Sequence, residues 1–121
     1  MMTSSLEFIA QELSARRPGL LRDLAALVEI ESPTDDKVSV DRAQDFLTGC
    51  LTWAGAQVSR HVQGVTGDIL QAVWRADGVP RGAPILLIGH VDTVWPLGEL
   101  ARRPIRQENG YFYGPGAYDM K

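Results

Sequence analysis

The sequence predicts a layered α/β fold, with helices first and then a mixed sheet. Three observations predict it. The first third places apolar residues at helical spacing, and the middle shifts to strand-like alternation. Ile85-Leu86-Leu87-Ile88 is then a continuous apolar run, which suits a central strand covered on both faces.

Leu6, Ile9, Ala10 and Leu13 recur at helical spacing after Thr3-Ser4-Ser5, a cluster able to cap a helix. Pro18 is expected to end this helix and open a second one, because proline suits a first turn and not an interior. Leu20, Leu21, Leu24, Leu27 and Val28 form the second stripe, and Ser32-Pro33-Thr34-Asp35-Asp36 closes it with turn chemistry. A third helix is expected from about Val38 to Trp53, with Val40, Ala43, Phe46, Leu47 and Leu51 inward and Gly55 just past its end. Strands are expected at Gln57–Val62 and Asp68–Trp74, and a loop at Asp77–Gly82. Asn109-Gly110 lies between the strand-like runs Ile105-Arg106-Gln107 and Tyr111-Phe112-Tyr113, a strong hairpin signal. No repeat, low-complexity tract or linker interrupts the chain, which predicts one domain.

Composition narrows the function classes. The chain has 121 residues, of which 45% are hydrophobic and 22% charged, with a net charge of −3. That is globular and offers no basic patch for nucleic acid; Arg16-Arg17 and Arg102-Arg103 suit solvated faces. Cys50 is the sole cysteine, so an internal disulfide and a cysteine-rich metal site are excluded, and a small buried hydrophobe is the expected role. The opening Met-Met-Thr-Ser-Ser-Leu-Glu lacks the pattern of a secretory signal, and no apolar stretch is long enough for a bilayer. A soluble cytoplasmic protein without membrane partners is expected.

The chemistry concentrates in two places. Gly89-His90-Val91-Asp92-Thr93-Val94 follows the apolar run, where ligands bind outside strand ends of open α/β sheets. Neutral imidazole ligates zinc, and a carboxylate two residues on can hold the ring's other nitrogen. On spacing alone, His-x-Asp is more often a surface or hydrogen-bonded pair. The second place is Gly114-Pro115-Gly116-Ala117-Tyr118-Asp119-Met120-Lys121, a tight glycine turn that lets backbone approach a ligand closely. A carboxylate held after that turn, as Asp119 is, can bridge two metals, but taken alone Asp119 better suits a helix cap. His61 is expected at the surface. Trp95 is expected to pack under its loop, with a substrate pocket as the other reading.

An apolar strand, His-x-Asp-Thr-Val, a basic loop, a hairpin and Gly-Pro-Gly-x-x-Asp-Met-Lys, in that order, resemble the M20 metallopeptidases, the bacterial glutamate carboxypeptidases in particular. Acetylornithine deacetylase and succinyl-diaminopimelate desuccinylase are relatives. Leu27-Val28-Glu29-Ile30-Glu31-Ser32-Pro33-Thr34 looks like the opening of the family's catalytic domain, so the resemblance spans about Leu20 to Lys121. It implies that residues 1–121 are the N-terminal part of such a domain, incomplete and without the lid or dimerisation domain. It further implies that His90 ligates one zinc, Asp119 bridges two, and Asp92 acts catalytically by orienting His90. Cobalt is an alternative metal. A cis peptide at Asp119–Met120 is also implied.

The implied reaction is zinc-dependent hydrolysis of amide bonds in N-acyl amino acids or at the C-terminal residue of peptides, with a glutamate as base. A homodimer of the full-length protein is implied as well. In the family the base and the remaining ligands follow the Asp-Met-Lys motif, so this stretch alone is expected to be inactive as an amidase and poorly stable. The alternative is a catalytically inactive fragment that binds a metal or a partner. A phosphate-binding role for Gly114-Pro115-Gly116 is disfavoured, since no Lys-Ser/Thr follows.

Overall fold

The computed structural model describes residues 4–75, 77–78, 82–119 and 121. It is an α/β arrangement of three helices and two small antiparallel hairpins among those residues. Helix α1 spans Ser5–Val28. The Glu7 backbone N–H donates to the Ser4 hydroxyl at 3.2 Å, and the Ser4 N–H donates back to the Glu7 carboxylate at 2.9 Å. This reciprocal pair satisfies donors that an opening helix turn leaves free.

The break expected at Pro18 does not occur, because α1 runs through it. Proline in a helix interior removes one hydrogen bond and costs about 3 kcal/mol. Here the carbonyl that loses its donor belongs to Ser14, an exposed residue whose carbonyl water can reach. The first apolar stripe also fails to find a core, since Leu6, Ile9 and Leu13 are exposed. Burial starts at the other end of α1, at Leu27 and Val28.

Helix α2, Lys37–Trp53, follows the expected bounds closely, and its Asp36 cap accepts from the Ser39 N–H at 3.0 Å. Gly55, at φ +85°, turns the chain out of it as expected. The core joins Leu27 of α1, Val40 and Ala43 of α2, and Val91, with Ile30, Phe46 and Leu47 packed around them.

Strands β1, Gln57–His61, and β2, Ile69–Val73, pair in register from Gln57 opposite Val73 to His61 opposite Ile69. This hairpin is pinned to α2 by a charged cluster. The Lys37 ammonium lies 2.6 Å from Asp68 and 2.8 Å from Asp41, and the Asp68 N–H donates to Asp41 at 2.8 Å. Gln63 N–H and Arg60 complete the shell around the buried Asp68 carboxylate. Trp74 adds a bond from its indole N–H to the Ala54 carbonyl at 3.0 Å.

Ile85 to Ile88 departs from expectation. Each of the four residues is at least 78% exposed, and none belongs to a strand. A central strand needs neighbours at both edges and cover on both faces, and the described residues supply neither. The chain rejoins the core at Val91, where Thr93 makes an isolated parallel bridge to Pro33. The short helix α3, Glu99–Arg102, then precedes β3, Arg106–Glu108, and β4, Tyr111–Tyr113. Asn109 at φ 52° and Gly110 at φ 81° form the expected hairpin turn. Among the described residues no helix is long and apolar enough to cross a membrane.

Two tests follow from this packing. A Cβ on Gly67 would overlap Val40 Cγ1 and stand 2.7 Å from Val40 Cβ. Gly67→Ala is expected to cost about 1–3 kcal/mol in urea unfolding, the usual penalty of overpacking. Because the two sites touch, Gly67→Ala combined with Val40→Ala should lose less than the sum of the single losses. The second test is acid titration. The Lys37 ammonium, then the Gln63 N–H, hold the Asp68 carboxyl below the usual carboxylate range; the Asp68 N–H, then Lys37, do the same for Asp41. A depressed carboxyl lends stability that is present above its unfolded value, about 3.9, and lost as pH falls through its folded value. The thermal midpoint should therefore drop below about pH 4, and less steeply in Asp68→Asn, as circular dichroism would record.

Candidate metal centre

His90 and Asp92 owe their positions to the residues between α1 and α2. Ser32, fully buried, donates its hydroxyl to the Val91 carbonyl at 2.7 Å. Thr93 N–H donates to the Ser32 carbonyl at 2.8 Å, and Thr34 N–H donates to the Thr93 carbonyl at 3.0 Å. Residues 91–93 therefore lie along residues 32–34 as two short parallel strands would. Val91 and Thr93 face inward, while His90 and Asp92, one step out of phase, face outward.

Asp119 arrives from the opposite end of the sequence. Gly114 closes a turn by accepting from the Ala117 N–H at 3.2 Å, and the Asp119 N–H donates to the Gly116 carbonyl at 3.0 Å. The glycines are there for close approach to protein. A Cβ at Gly114 would come 2.8 Å from Val28, and one at Gly116, whose φ is +78°, would come 2.7 Å from Thr93 Cγ2. The backbone here lies against the end of α1 and against the segment that carries His90. Lys121 anchors the far end. Its ammonium donates to the carbonyls of Leu27 and Ile30, at the C-terminal end of α1. Burial there pushes its pKa down to about 8, against the opposing pull of Glu31.

The three side chains converge. His90 Nδ1 lies 3.0 Å from the Asp92 carbonyl oxygen and 3.3 Å from Asp92 Oδ1. Its Nε2 faces Asp119 Oδ1 at 3.4 Å. A carbonyl oxygen can only accept, so Nδ1 carries the hydrogen, and a neutral ring keeps the Nε2 lone pair for whatever stands toward Asp119. His90 is 47% exposed and Asp119 70%, so the pair opens to solvent and a cation can reach it. Two carboxylates flanking one imidazole make the spot electronegative.

The arrangement matches the donor chemistry of zinc in part. It offers one imidazole nitrogen and one carboxylate oxygen, and no cluster of three or more His, Cys, Asp or Glu able to hold a metal occurs among the described residues. The Asp119–Met120 bond lies outside the described residues. Sequence reasoning missed Thr34, whose hydroxyl donates to Asp92 Oδ2 at 2.7 Å. The two residues are 58 positions apart, and a threonine after Ser-Pro gives no sign of a carboxylate partner.

The remaining candidates are accounted for locally. His61 is exposed and 3.2 Å from Gln71, as expected for a surface histidine. Cys50 is half-buried in α2, where burial, then Asp23, raises its thiol pKa, consistent with an inert side chain. Trp95 is half-buried under the Arg103 guanidinium, 4.5 Å from the ring centre. Arg103 is also paired with the buried Glu99 at 2.8 Å, and Arg102 with Glu99 at 3.3 Å, so these arginines do more than meet solvent. Glu31 accepts from the Leu100 N–H and then the Gly98 N–H, which hold its carboxyl below the usual range.

Compared with known proteins, the chain is 34% identical to carboxypeptidase G2 of Pseudomonas sp. (strain RS-16) over 113 residues. The match covers 92% of this chain and 26% of that protein, so the chain spans about a quarter of the relative's length. No family model matches the chain.

The closeness of Gly116 to Thr93 makes it the sharpest test of the assembly. Any other residue at φ +78° costs about 1–3 kcal/mol before its Cβ clash with Thr93 is counted. Gly116→Val should lower stability by at least that amount and separate Asp119 from His90. Nuclear Overhauser contacts between the His90 ring and the Asp119 methylene protons would then disappear.

Proposed function

We propose, on the similarity to carboxypeptidase G2 over 113 residues and the motif order that resembles the M20 metallopeptidases, that the chain belongs with that family and carries part of the metal site of a zinc-dependent amide hydrolase. The observation that carries this reading is His90 Nε2 facing Asp119 Oδ1 at 3.4 Å, with Nδ1 already engaged by Asp92. A direct charge-assisted hydrogen bond would be shorter, about 2.7–2.9 Å.

In this reading His90 would hold the metal through its Nε2 lone pair and Asp119 through a carboxylate oxygen, its second oxygen remaining free for another cation. Asp92 holds the imidazole in the Nδ1–H form and balances its charge. When bound, zinc supplies Lewis-acid polarisation of the scissile amide carbonyl. A zinc site takes at least three protein donors, and the remaining ones, with the general base, are assigned to sequence beyond the quarter of the relative that this chain spans. The substrates proposed are N-acyl amino acids or peptides cleaved at their C-terminal residue, in a cytoplasmic enzyme. The two-donor count also favours a second reading: a fragment that binds metal weakly and catalyses nothing.

The test is metal analysis. In the protein that contains this chain, His90→Ala and Asp119→Ala should each lower zinc content and abolish amide hydrolysis. Asp92→Asn should retain more metal while activity falls about 10–100-fold, the usual effect of losing a ligand's supporting partner. Unchanged zinc in both ligand variants would rule the assignment out. Zinc binding without hydrolysis of any N-acyl amino acid or peptide would favour the second reading.

A further inference from the structure

We propose that Thr34 is a positioning residue for this centre: its hydroxyl fixes the Asp92 carboxylate, and through it the His90 ring that faces Asp119. What His90 Nε2 is for rests on the metal-site reading; the hydrogen-bond relay itself rests on geometry. Thr34 Oγ1 lies 2.7 Å from Asp92 Oδ2 and 3.2 Å from the Thr93 carbonyl. A hydroxyl has one proton to give. The Thr93 carbonyl already accepts from the Thr34 N–H at 3.0 Å, and the carboxylate contact is shorter and charged. The proton therefore goes to Asp92.

That bond matters because a carboxylate's terminal torsion is broad and poorly fixed by itself. Holding Oδ2 sets the plane of the group and leaves Oδ1 3.3 Å from His90 Nδ1, where it shares the Nδ1 hydrogen with the Asp92 carbonyl oxygen at 3.0 Å. With Nδ1 protonated, Nε2 keeps its lone pair toward Asp119, at 3.4 Å. Thr34 is itself placed without its hydroxyl, by the Pro33–Thr93 bridge, the Thr34 N–H bond and the buried Ser32 next door. Removing the hydroxyl should therefore free Asp92 without moving the backbone. The link between the α1–α2 turn and the histidine thus works as part of the site and not only as packing.

The experiment uses the 121-residue chain labelled with 15N, with Thr34→Val, Thr34→Ala and Thr34→Ser. Long-range 1H–15N correlation at a pH where imidazole is neutral reports which ring nitrogen of His90 carries the hydrogen. The parent chain and Thr34→Ser should show the Nδ1–H form. Thr34→Val and Thr34→Ala should shift toward a mixture with Nε2–H while keeping a folded amide spectrum. A zinc titration on the same samples should show affinity falling about 10-fold in Thr34→Val and not in Thr34→Ser. A parent His90 in the Nε2–H form would overturn the proposal. So would variants lacking the hydroxyl that keep the parent tautomer, or a Thr34→Ser that loses it. The tautomer shift tests the relay alone, and zinc content in His90→Ala and Asp119→Ala tests the metal reading, so the two fail separately.

Discussion

The Ser32 hydroxyl is fully buried and donates to the Val91 carbonyl at 2.7 Å, and the site depends on that bond. A buried carbonyl without a donor costs about 1–3 kcal/mol, so this pairing fixes where residues 91–93 can lie. Once Val91 is seated in the core, the alternation of an extended chain turns His90 and Asp92 outward together. The bond also defines phase. A shift of one residue would bury His90 and expose Val91, losing both the polar pairing and the apolar burial.

The second half of the centre is brought in by steric permission. Gly114 and Gly116 lie so close to Val28 and Thr93 that a side chain at either position would collide. The turn carrying Asp119 therefore rests on the last turn of α1 and on the segment that Ser32 holds in place. The Lys121 ammonium, on the carbonyls at the end of α1, closes the arrangement from the other side. Cations at a helix C-terminus are favoured by the exposed carbonyl dipoles there. Three chain segments far apart in sequence thus meet around α1's last turn.

How far this could be read from the sequence differs by element. Helix α2, the β1–β2 hairpin and the Asn109-Gly110 turn were legible because their signals are local: apolar residues at helical spacing, alternation, and residues that accept positive φ. His90, Asp92 and Asp119 were legible as candidates by order and residue type, and their convergence is a product of the fold. Thr34 was not legible, because its role exists only once residues 32–34 and 91–93 lie side by side. Pro18 misled for a related reason. The rule against interior proline describes an average cost, and an exposed Ser14 leaves the freed carbonyl to water.

The Ile85–Ile88 run shows where pattern and structure part. Its composition marks it for burial, yet it is exposed, three residues before the firmly buried Val91. The two facts are compatible because different forces act on each side. The apolar run gains only from neighbours to cover it, whereas residues 91–93 are held by directed bonds to Ser32 and Thr34 that need no sheet. The geometry around His90 therefore does not depend on whether a sheet forms at 85–88. A constellation specified by a few short polar contacts can be set in place while the apolar surface beside it remains uncovered.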